Sequence, residues 1–589
     1  MVRRIPAFPA RSTLPAMNHT AVITLVWCSL LAPAQPASLC SEYAQAITRH
    51  EADRGALLRK YPDSPARRER MARFYDQALA ALESDPYEGL SPAGKVDRTL
   101  FKAHVSHARR RLEIDGARAD AAAVFTPFQP VIFAFAEDRV AMRDPRPAQA
   151  AASLNDLSKR IAESQKAFEA GLKTAKEGEP PAVTPSFSRD VLARINSLRD
   201  TLTDWYDFSA GYDPLFTWWC EQPYKAVTDA FAAYATAVRE KGVGITRGNE
   251  NIIVGVPIGR EALLAELDAE MIPYTPEELI AIGERELAWC EAEYAKAAAD
   301  LGLGNDWRAA LERAKQDHVQ PGEQPALIRE LSDRAVAFLR DKDLITVPDL
   351  ADEVWRMEMM SPQRQLVTPF FTGGEVISVS FPTGGMAHED KLMSLRGNNR
   401  HFSNATVFHE LIPGHHLQQY ACARSNTHRR PFNTAFWTEG WALYWEMTMW
   451  DRGFHADPLS RVGALFWRSH RCARIICSLK FHLGQMTAPE WIAFLTERIG
   501  HEQANAEGEV RRSVAGNYGP LYQVAYMIGG LQFRRLYEEA VGSGRMTDRQ
   551  FHDAVLVENN IPVEMVRAII LNEPPPREFR SSWKFDDGE

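Results

Sequence analysis

Cysteine is scarce in this sequence and basic residues are in deficit, and both shortages exclude classes of function. The chain of 589 residues has seven cysteines and no C-x-x-C pair, which excludes cysteine-based zinc and redox motifs. Its 68 lysine and arginine residues are outnumbered by 77 aspartate and glutamate residues, which gives a net charge of −9. Because phosphate neutralisation supplies most of the affinity for nucleic acids, the sequence predicts no nucleic-acid partner.

Apolar runs long enough to cross a bilayer are also missing. The 12-residue apolar run 21–32 is too short for a span, but it follows a basic segment and precedes small residues that end at Ala34, as in a secretory signal. We therefore predict a signal peptide over 1–34 and a periplasmic or secreted protein with no transmembrane span. A start at Met17 is an alternative, and a lipid anchor at Cys40 is less favoured because Leu39 precedes that cysteine.

Helical periodicity dominates the rest of the chain, whereas strand patterns are rare. Apolar residues recur at helical spacing over 153–176, and Thr275 with Glu278 forms a capping-box pattern that opens a helix over 275–302. The clearest strand pattern is 375–381, with a weaker one at 252–256. Further helices are predicted at 42–60, 66–84, 98–114, 188–208, 222–240, 306–316 and 324–340.

These patterns predict a mainly α fold with a small β-sheet or hairpin. An N-terminal helical half would occupy 35–245 and a second half 246–589, with the two halves packed as one body. The strand 376–381 has two interpretations, an open edge for an extended peptide or a simple hairpin against the helices.

Histidine is concentrated in one segment, where five of the 16 histidines fall between His401 and His428. His409 and Glu410 begin a pattern related to H-E-x-x-H, in which two histidines one helical turn apart bind Zn²⁺. The pattern is not completed, because the fourth position after His409 is Pro413.

The next histidines, His415 and His416, stand six and seven residues after His409. Two turns of a straight helix would separate the imidazoles by about 10 Å, which is too far for one ion. Pro413 and Gly414 break the helix at this point. We predict that the break brings His415 beside His409, with His416 as the alternative.

A catalytic zinc ion takes three protein ligands, and the third is predicted downstream. Glu439 stands in an apolar, aromatic helical segment, where a carboxylate is costly to bury unless it is paired or bound to a metal. Glu446 lies seven residues on, on the same helical face, and is predicted to hold a ligand histidine by its second ring nitrogen.

Two segments together carry a family resemblance. His-Glu-x-x-Pro-Gly-His-His-Leu-Gln, which begins at His409, and Glu-Gly-Trp-Ala-Leu-Tyr, which begins at Glu439, resemble the bacterial DUF885 family. This family is grouped with the zincin-like metallopeptidases, and the resemblance extends over 250–570. It implies a large helical zincin-like body with the small sheet or hairpin beside the active-site helix, one Zn²⁺ in the half 246–589, and hydrolysis of peptide or small amide substrates.

Chemical roles can then be assigned to the predicted site residues. His409, His415 and Glu439 are predicted to hold one Zn²⁺, and Glu410 is predicted to act as the general base toward the attacking water. A non-catalytic binding or scaffold protein on the same fold is the alternative from another class. A zinc hydrolase of another bond, such as an ester or a cell-wall amide, is a third possibility.

Two further residues have a functional and a structural interpretation each. Tyr526 is predicted to donate a hydrogen bond to the developing oxyanion, and the alternative is a core tyrosine. Arg512 is predicted to bind a substrate carboxylate, and the alternative is an ion pair with Glu509.

Overall fold

The computed structural model describes residues 41–588, apart from 174–182, 250–251, 366–367, 369 and 515–517. The predicted signal segment 1–34, the alternative start at Met17 and Cys40 lie outside the described residues. Ser41–Glu589 forms one compact unit. The mainly α prediction is confirmed, since the described part of the chain contains 23 α-helices and one two-stranded sheet. No helix among the described residues has the length and apolar character needed to cross a membrane.

The helices are numbered in chain order. Helices α1 to α7 are Ala44–Lys60, Pro65–Glu83, Pro92–Ala123, Gln129–Val140, Pro147–Gly171, Pro185–Ser209 and Pro214–Ala237. Helices α8 to α14 are Arg260–Ala269, Pro276–Asp300, Trp307–Gln316, Gln324–Asp341, Asp349–Val354, Pro362–Gln365 and His388–Gly397. Helices α15 to α23 are Arg400–Glu410, His415–Cys422, Ala435–Asp451, Pro458–His482, Ala488–Phe494, Gln503–Val514, Tyr522–Tyr537, Asp548–Val557 and Val563–Ile570.

Local sequence signals explain where several helices begin. The predicted capping box is confirmed at α9, where Thr275 accepts from the backbone of Glu278 and the Glu278 side chain accepts from the backbone of Thr275. Helices α3 and α7 begin earlier than predicted because their capping side chains lie upstream, at Ser91 and Asp213, each followed by a proline at the first helical position.

The small sheet consists of β1 (Arg356–Met359) and β2 (Val376–Val379), which run parallel with Arg356 opposite Val376. The predicted strand is confirmed over β2, but the hairpin interpretation is wrong, since a hairpin needs antiparallel strands. Thr372 pairs with Ser378 on the other side of β2, so that edge is not fully open to a peptide.

The weaker strand prediction at 252–256 is wrong. This segment has no regular secondary structure and pairs with no strand in the described part of the chain. Side chains of α6 bind its carbonyl groups instead: Arg189 donates to Val254 O, and Ser186 Oγ donates to Gly255 O at 2.8 Å. Helix side chains thus replace the ladder partner that a strand requires.

Two large cores hold the helices together. The main core takes buried side chains from α1 to α3 and from residues 263–585, whereas a second core lies within 122–238. In α5 the apolar stripe that the sequence predicts faces this second core, with Leu154, Leu157, Ile161 and Phe168 fully buried. A smaller cluster joins the sheet to α11 and α15.

Helices α17 and α21 cross at a pair of glycines in the main core. A Cβ atom on Gly440 would lie 2.5 Å from Cα of Gly529, and one on Gly529 would lie 2.1 Å from the carbonyl oxygen of Phe436. Only glycine at both positions allows the two backbones to approach this closely. The crossing fixes the separation of the two helices beside the candidate site.

Candidate metal centre

The helix that carries His409 is broken where the sequence predicts it. Helix α15 ends at Glu410 and α16 begins at His415. Between them Trp441 Nε1 donates to Pro413 O at 2.8 Å, and Gly414 N donates to Phe408 O at 3.0 Å. A Cβ atom at position 414 would lie 1.8 Å from the carbonyl oxygen of His409, so glycine is required there.

The break brings the rings of His409 and His415 together, with their centroids 4.9 Å apart. One ligand atom from each of His409, Glu410 and His415 lies within 4.8 Å of the other two. The alternative residue, His416, is elsewhere: its Nε2 atom lies 2.7 Å from the carbonyl oxygen of Ala351.

Glu439 reaches the same point from α17. Its Oε2 atom lies 3.2 Å from His415 Nε2 and 3.7 Å from His409 Nε2. Within the described part of the chain, this buried oxygen forms no hydrogen bond. Tetrahedral ligands at zinc–ligand distances of about 2.0–2.2 Å stand about 3.3 Å apart. The two distances from Glu439 Oε2 to the histidine nitrogens are therefore close to the spacing of zinc ligands.

Polar partners orient each of the three side chains. His409 Nδ1 lies 2.6 Å from Glu446 Oε1, which confirms the predicted contact. His415 Nδ1 lies 3.0 Å from Gln418 Oε1, and the Gln418 amide nitrogen donates to the carbonyl oxygen of Thr438 at 2.9 Å. Because Nδ1 of each histidine is engaged in this way, Nε2 is the ring nitrogen that each leaves for the site.

Among the described residues, Tyr522 completes the setting of Glu439, since its hydroxyl group donates to Glu439 Oε1. This bond occupies one carboxylate oxygen and leaves Oε2 for the site. Tyr522 and Gln418 are not identifiable as site residues from the sequence, because each contact depends on how two helices pack.

The site is buried, and its charged groups shift one another's pKa values. Burial alone would lower the pKa of His415, but the neighbouring Glu439 carboxylate raises it to about 9. Burial would raise the pKa of Glu439, but His415 and His409 hold it well below its usual value. Burial also raises the pKa of Glu410. The protonated histidines thus neutralise the negative charge of the carboxylates, and a bound divalent cation would neutralise that charge instead.

These groups open onto one cavity of about 240 Å³. The predicted ligands, Glu410, Tyr526 and Arg512 all line it. Arg512 also pairs with Glu509, with Nε 2.7 Å from Oε2, so the predicted ion pair forms at the cavity wall.

The family can now be assigned from comparison with known proteins. The sequence model of the family described as "Bacterial protein of unknown function (DUF885)" matches residues 55–570. This chain belongs to the DUF885 family. No curated protein matches this DUF885 chain.

Two solved structures share its fold. One is described as a "putative lipoprotein of unknown function" from Shewanella oneidensis, with a TM-score of 0.66 and 17% identity over 90% of this chain and 100% of that chain. The other is described as a "putative lipoprotein" from Colwellia psychrerythraea, with a TM-score of 0.52 and 14% identity over 90% of this chain and 97% of that chain. The likeness establishes the fold of the DUF885 chain.

Proposed function

We propose that this DUF885 protein is an extracytoplasmic zinc-dependent hydrolase that cleaves peptide or related amide bonds on a zincin-like site. The observation that carries the proposal is the buried Oε2 atom of Glu439, which lies 3.2 Å from His415 Nε2 and 3.7 Å from His409 Nε2, close to the spacing of zinc ligands. The predicted signal segment supports the location, as does the likeness to two structures described as lipoproteins.

Zinc, when bound at this point, supplies a Lewis acid for the scissile carbonyl and lowers the pKa of water. Glu410 supplies the base. Its carboxylate lines the same cavity, and burial raises its pKa toward the range in which a general base works best near neutral pH. Glu410 accepts the proton of the attacking water and returns it to the leaving amine.

Tyr526 supplies the hydrogen-bond donor for the oxyanion. Its ring lies 6.2 Å from the His409 ring, and it lines the cavity beside the ligands. Burial and the Glu439 carboxylate raise the pKa of Tyr526, so its hydroxyl group keeps its proton at neutral pH. A donor fixed in this way stabilises charge that develops in the transition state.

Zinc content and amine release test the proposal together. Purified wild type and Glu410→Gln should each hold one zinc ion, and only wild type should release amines from a mixed peptide library. Equal turnover by both proteins would remove Glu410 from the mechanism. Turnover of esters without any amine release would assign another bond.

Neighbouring histidines give a matched pair for the ligand assignment. His415→Asn and Glu439→Ala should lose zinc, whereas His416→Asn should keep it, because His416 contacts Ala351 and not the site. Stoichiometric zinc in Glu439→Ala, or zinc loss in His416→Asn alone, would overturn the assignment.

A further inference from the structure

Three arginines form one wall of the cavity, and the hydrolase reaction proposed above does not require them. Arg471 and Arg474 stand one turn apart on α18, and Arg512 is on α20. A peptide-bond hydrolase needs one metal, one base and one donor, and His409, Glu410 and Tyr526 are among the residues that already supply them. The arginine wall therefore calls for a separate explanation.

The wall carries one positive charge more than its partners balance. Arg471 Nη2 lies 3.3 Å from Glu446 Oε1. Arg474 and Arg512 share the single carboxylate of Glu509, with Arg474 Nε 2.6 Å from Oε1 and Arg512 Nε 2.7 Å from Oε2. Three guanidinium groups thus face two carboxylates. The other two carboxylates of the cavity, Glu410 and Glu439, lie against the site histidines, so an anion that enters at the arginines would pair with the remaining positive charge.

Two guanidinium groups of the wall, those of Arg471 and Arg474, have a nitrogen without a hydrogen-bond partner among the described residues. Arg474 is 2% exposed, and its Nη1 atom has no hydrogen-bond partner among the described residues. Buried polar nitrogens are normally hydrogen-bonded, so this donor is matched to an acceptor that enters the cavity. Tyr526 holds the group in place, with its ring 4.3 Å from the Arg474 Cζ atom.

Buried side chains form the arginine side of the cavity. Arg471 and Arg474 are both almost fully buried in α18, which packs in the main core against α9 and α15. The acceptor that best fits this buried, positively charged wall is a carboxylate, which Arg recognises through parallel N–H donors. A terminal carboxylate fits best, because it needs no room for a chain beyond it.

We propose that Arg474 and Arg512, held side by side by Glu509, form a subsite for the free C-terminal carboxylate of the substrate. The proposal rests on the hydrolase function proposed above and names its substrate class, peptides cleaved close to a free C-terminus. The Tyr526 ring lies 4.3 Å from Arg474 Cζ and 6.2 Å from the His409 ring. At about 3.6 Å per extended residue, this path corresponds to no more than about three extended residues beyond the scissile bond.

Equilibrium binding tests the subsite without relying on turnover. The zinc-loaded Glu410→Gln protein is titrated calorimetrically with benzoyl-Gly-Phe, with its C-terminal amide, and with benzoyl-Gly-Asp amide, whose only carboxylate is on the side chain. A charge-assisted contact contributes about 1.5–3 kcal/mol, so the free acid should bind about 10- to 100-fold tighter than its amide. Equal binding of acid and amide would overturn the proposal. Preference for the aspartyl amide would assign the subsite to acidic side chains and would also overturn it.

Single substitutions of the arginines test which side chains are responsible for the preference for the free acid. Arg474→Gln and Arg512→Gln should each weaken binding of the acid about 10-fold or more and leave the amide unchanged. Arg468→Gln is the control, because Arg468 is also buried in α18 but pairs with Glu286 at 2.8 Å outside this cavity. Arg512 is 15% exposed, so its variant remains informative if Arg474→Gln does not fold. Equal weakening of acid and amide by both variants would contradict a carboxylate subsite.

The same titrations on zinc-free protein separate the two proposals. Preference for the acid without any zinc uptake would support the subsite and defeat the hydrolase. Zinc uptake and peptide cleavage with no preference for the acid would support the hydrolase and defeat the subsite.

Discussion

Replacing Glu446 by glutamine should weaken zinc binding without touching a ligand. Glu446 does not face the zinc position; its Oε1 atom lies 2.6 Å from Nδ1 of His409. Glutamine keeps the length and shape of the side chain and can still accept from Nδ1–H, but it removes the negative charge. The ligand atom of His409 then becomes less basic, since the hydrogen bond to Glu446 is one of the interactions that raise the pKa of His409.

The size of the effect follows from the nature of this bond. Outer partners of metal-bound histidines typically change metal affinity about 10- to 100-fold, which is about 1.4–2.7 kcal/mol. The contact is short and 2% exposed on the histidine side, so solvent does not weaken it. We therefore expect the zinc dissociation constant of Glu446→Gln to rise by a factor within this range.

Competition with a chromogenic chelator at pH 7.5 measures that constant. The matched control is Glu286→Gln, which also removes a carboxylate from an arginine of α18, since Glu286 pairs with Arg468, but at a distance from the ligands. Circular dichroism of the zinc-free proteins checks that both variants fold. An unchanged dissociation constant in Glu446→Gln, or an equal loss in both variants, would refute the reasoning.

Three further predictions concern pH and packing. Zinc binding must displace the proton of His415, whose pKa Glu439 raises to about 9, and that of His409, whose pKa is also raised. Affinity should therefore increase at least about tenfold per pH unit as the pH rises from 6 towards 9; chelator competition that shows no pH dependence would contradict this. Gly529→Ala should destabilise the fold by about 1–3 kcal/mol in urea unfolding, whereas Gly530→Ala, which meets only the flexible side chain of Leu443 at 3.3 Å, should be neutral or stabilising. His552 is buried, and burial lowers its pKa to about 4. The unfolded chain therefore binds more protons than the folded one between pH 6.5 and 4, and the free energy of unfolding should fall by up to about 3 kcal/mol on acidification through that window. His552→Gln should make the free energy of unfolding less dependent on pH there.

Local signals in the sequence predict much of the framework. The capping box at Thr275 and the stripe in α5 depend only on neighbouring residues, and both are confirmed. Strand β1 is not predicted, because Arg356–Met359 contains no β-branched or aromatic residue and its parallel partner lies after α13. The strand prediction at 252–256 is wrong for the opposite reason. The residues have the pattern of a strand, but no neighbouring strand in the described part of the chain pairs with them.

The candidate site shows the same division between local and long-range information. Pro413 and Gly414 reveal the break in the helix, because neither residue suits a continuous one. The contact of His409 with Glu446 follows from helical spacing and is confirmed. The roles of Tyr522 and Arg474 depend on how α17, α18 and α21 pack, which single-sequence patterns do not encode.

The glycine crossing of α17 and α21 has a consequence for how this family can change. Glu439 precedes Gly440 by one residue, and Tyr526 precedes Gly529 by one turn. The contact between the backbones of α17 and α21 therefore sets the distance between the Glu439 carboxylate and the Tyr526 hydroxyl group. The side chains that carry the chemistry are therefore replaceable, while two residues with no side chain are not. A descendant that adopts another metal or another reaction is expected to exchange its carboxylate or phenol first and to retain both glycines.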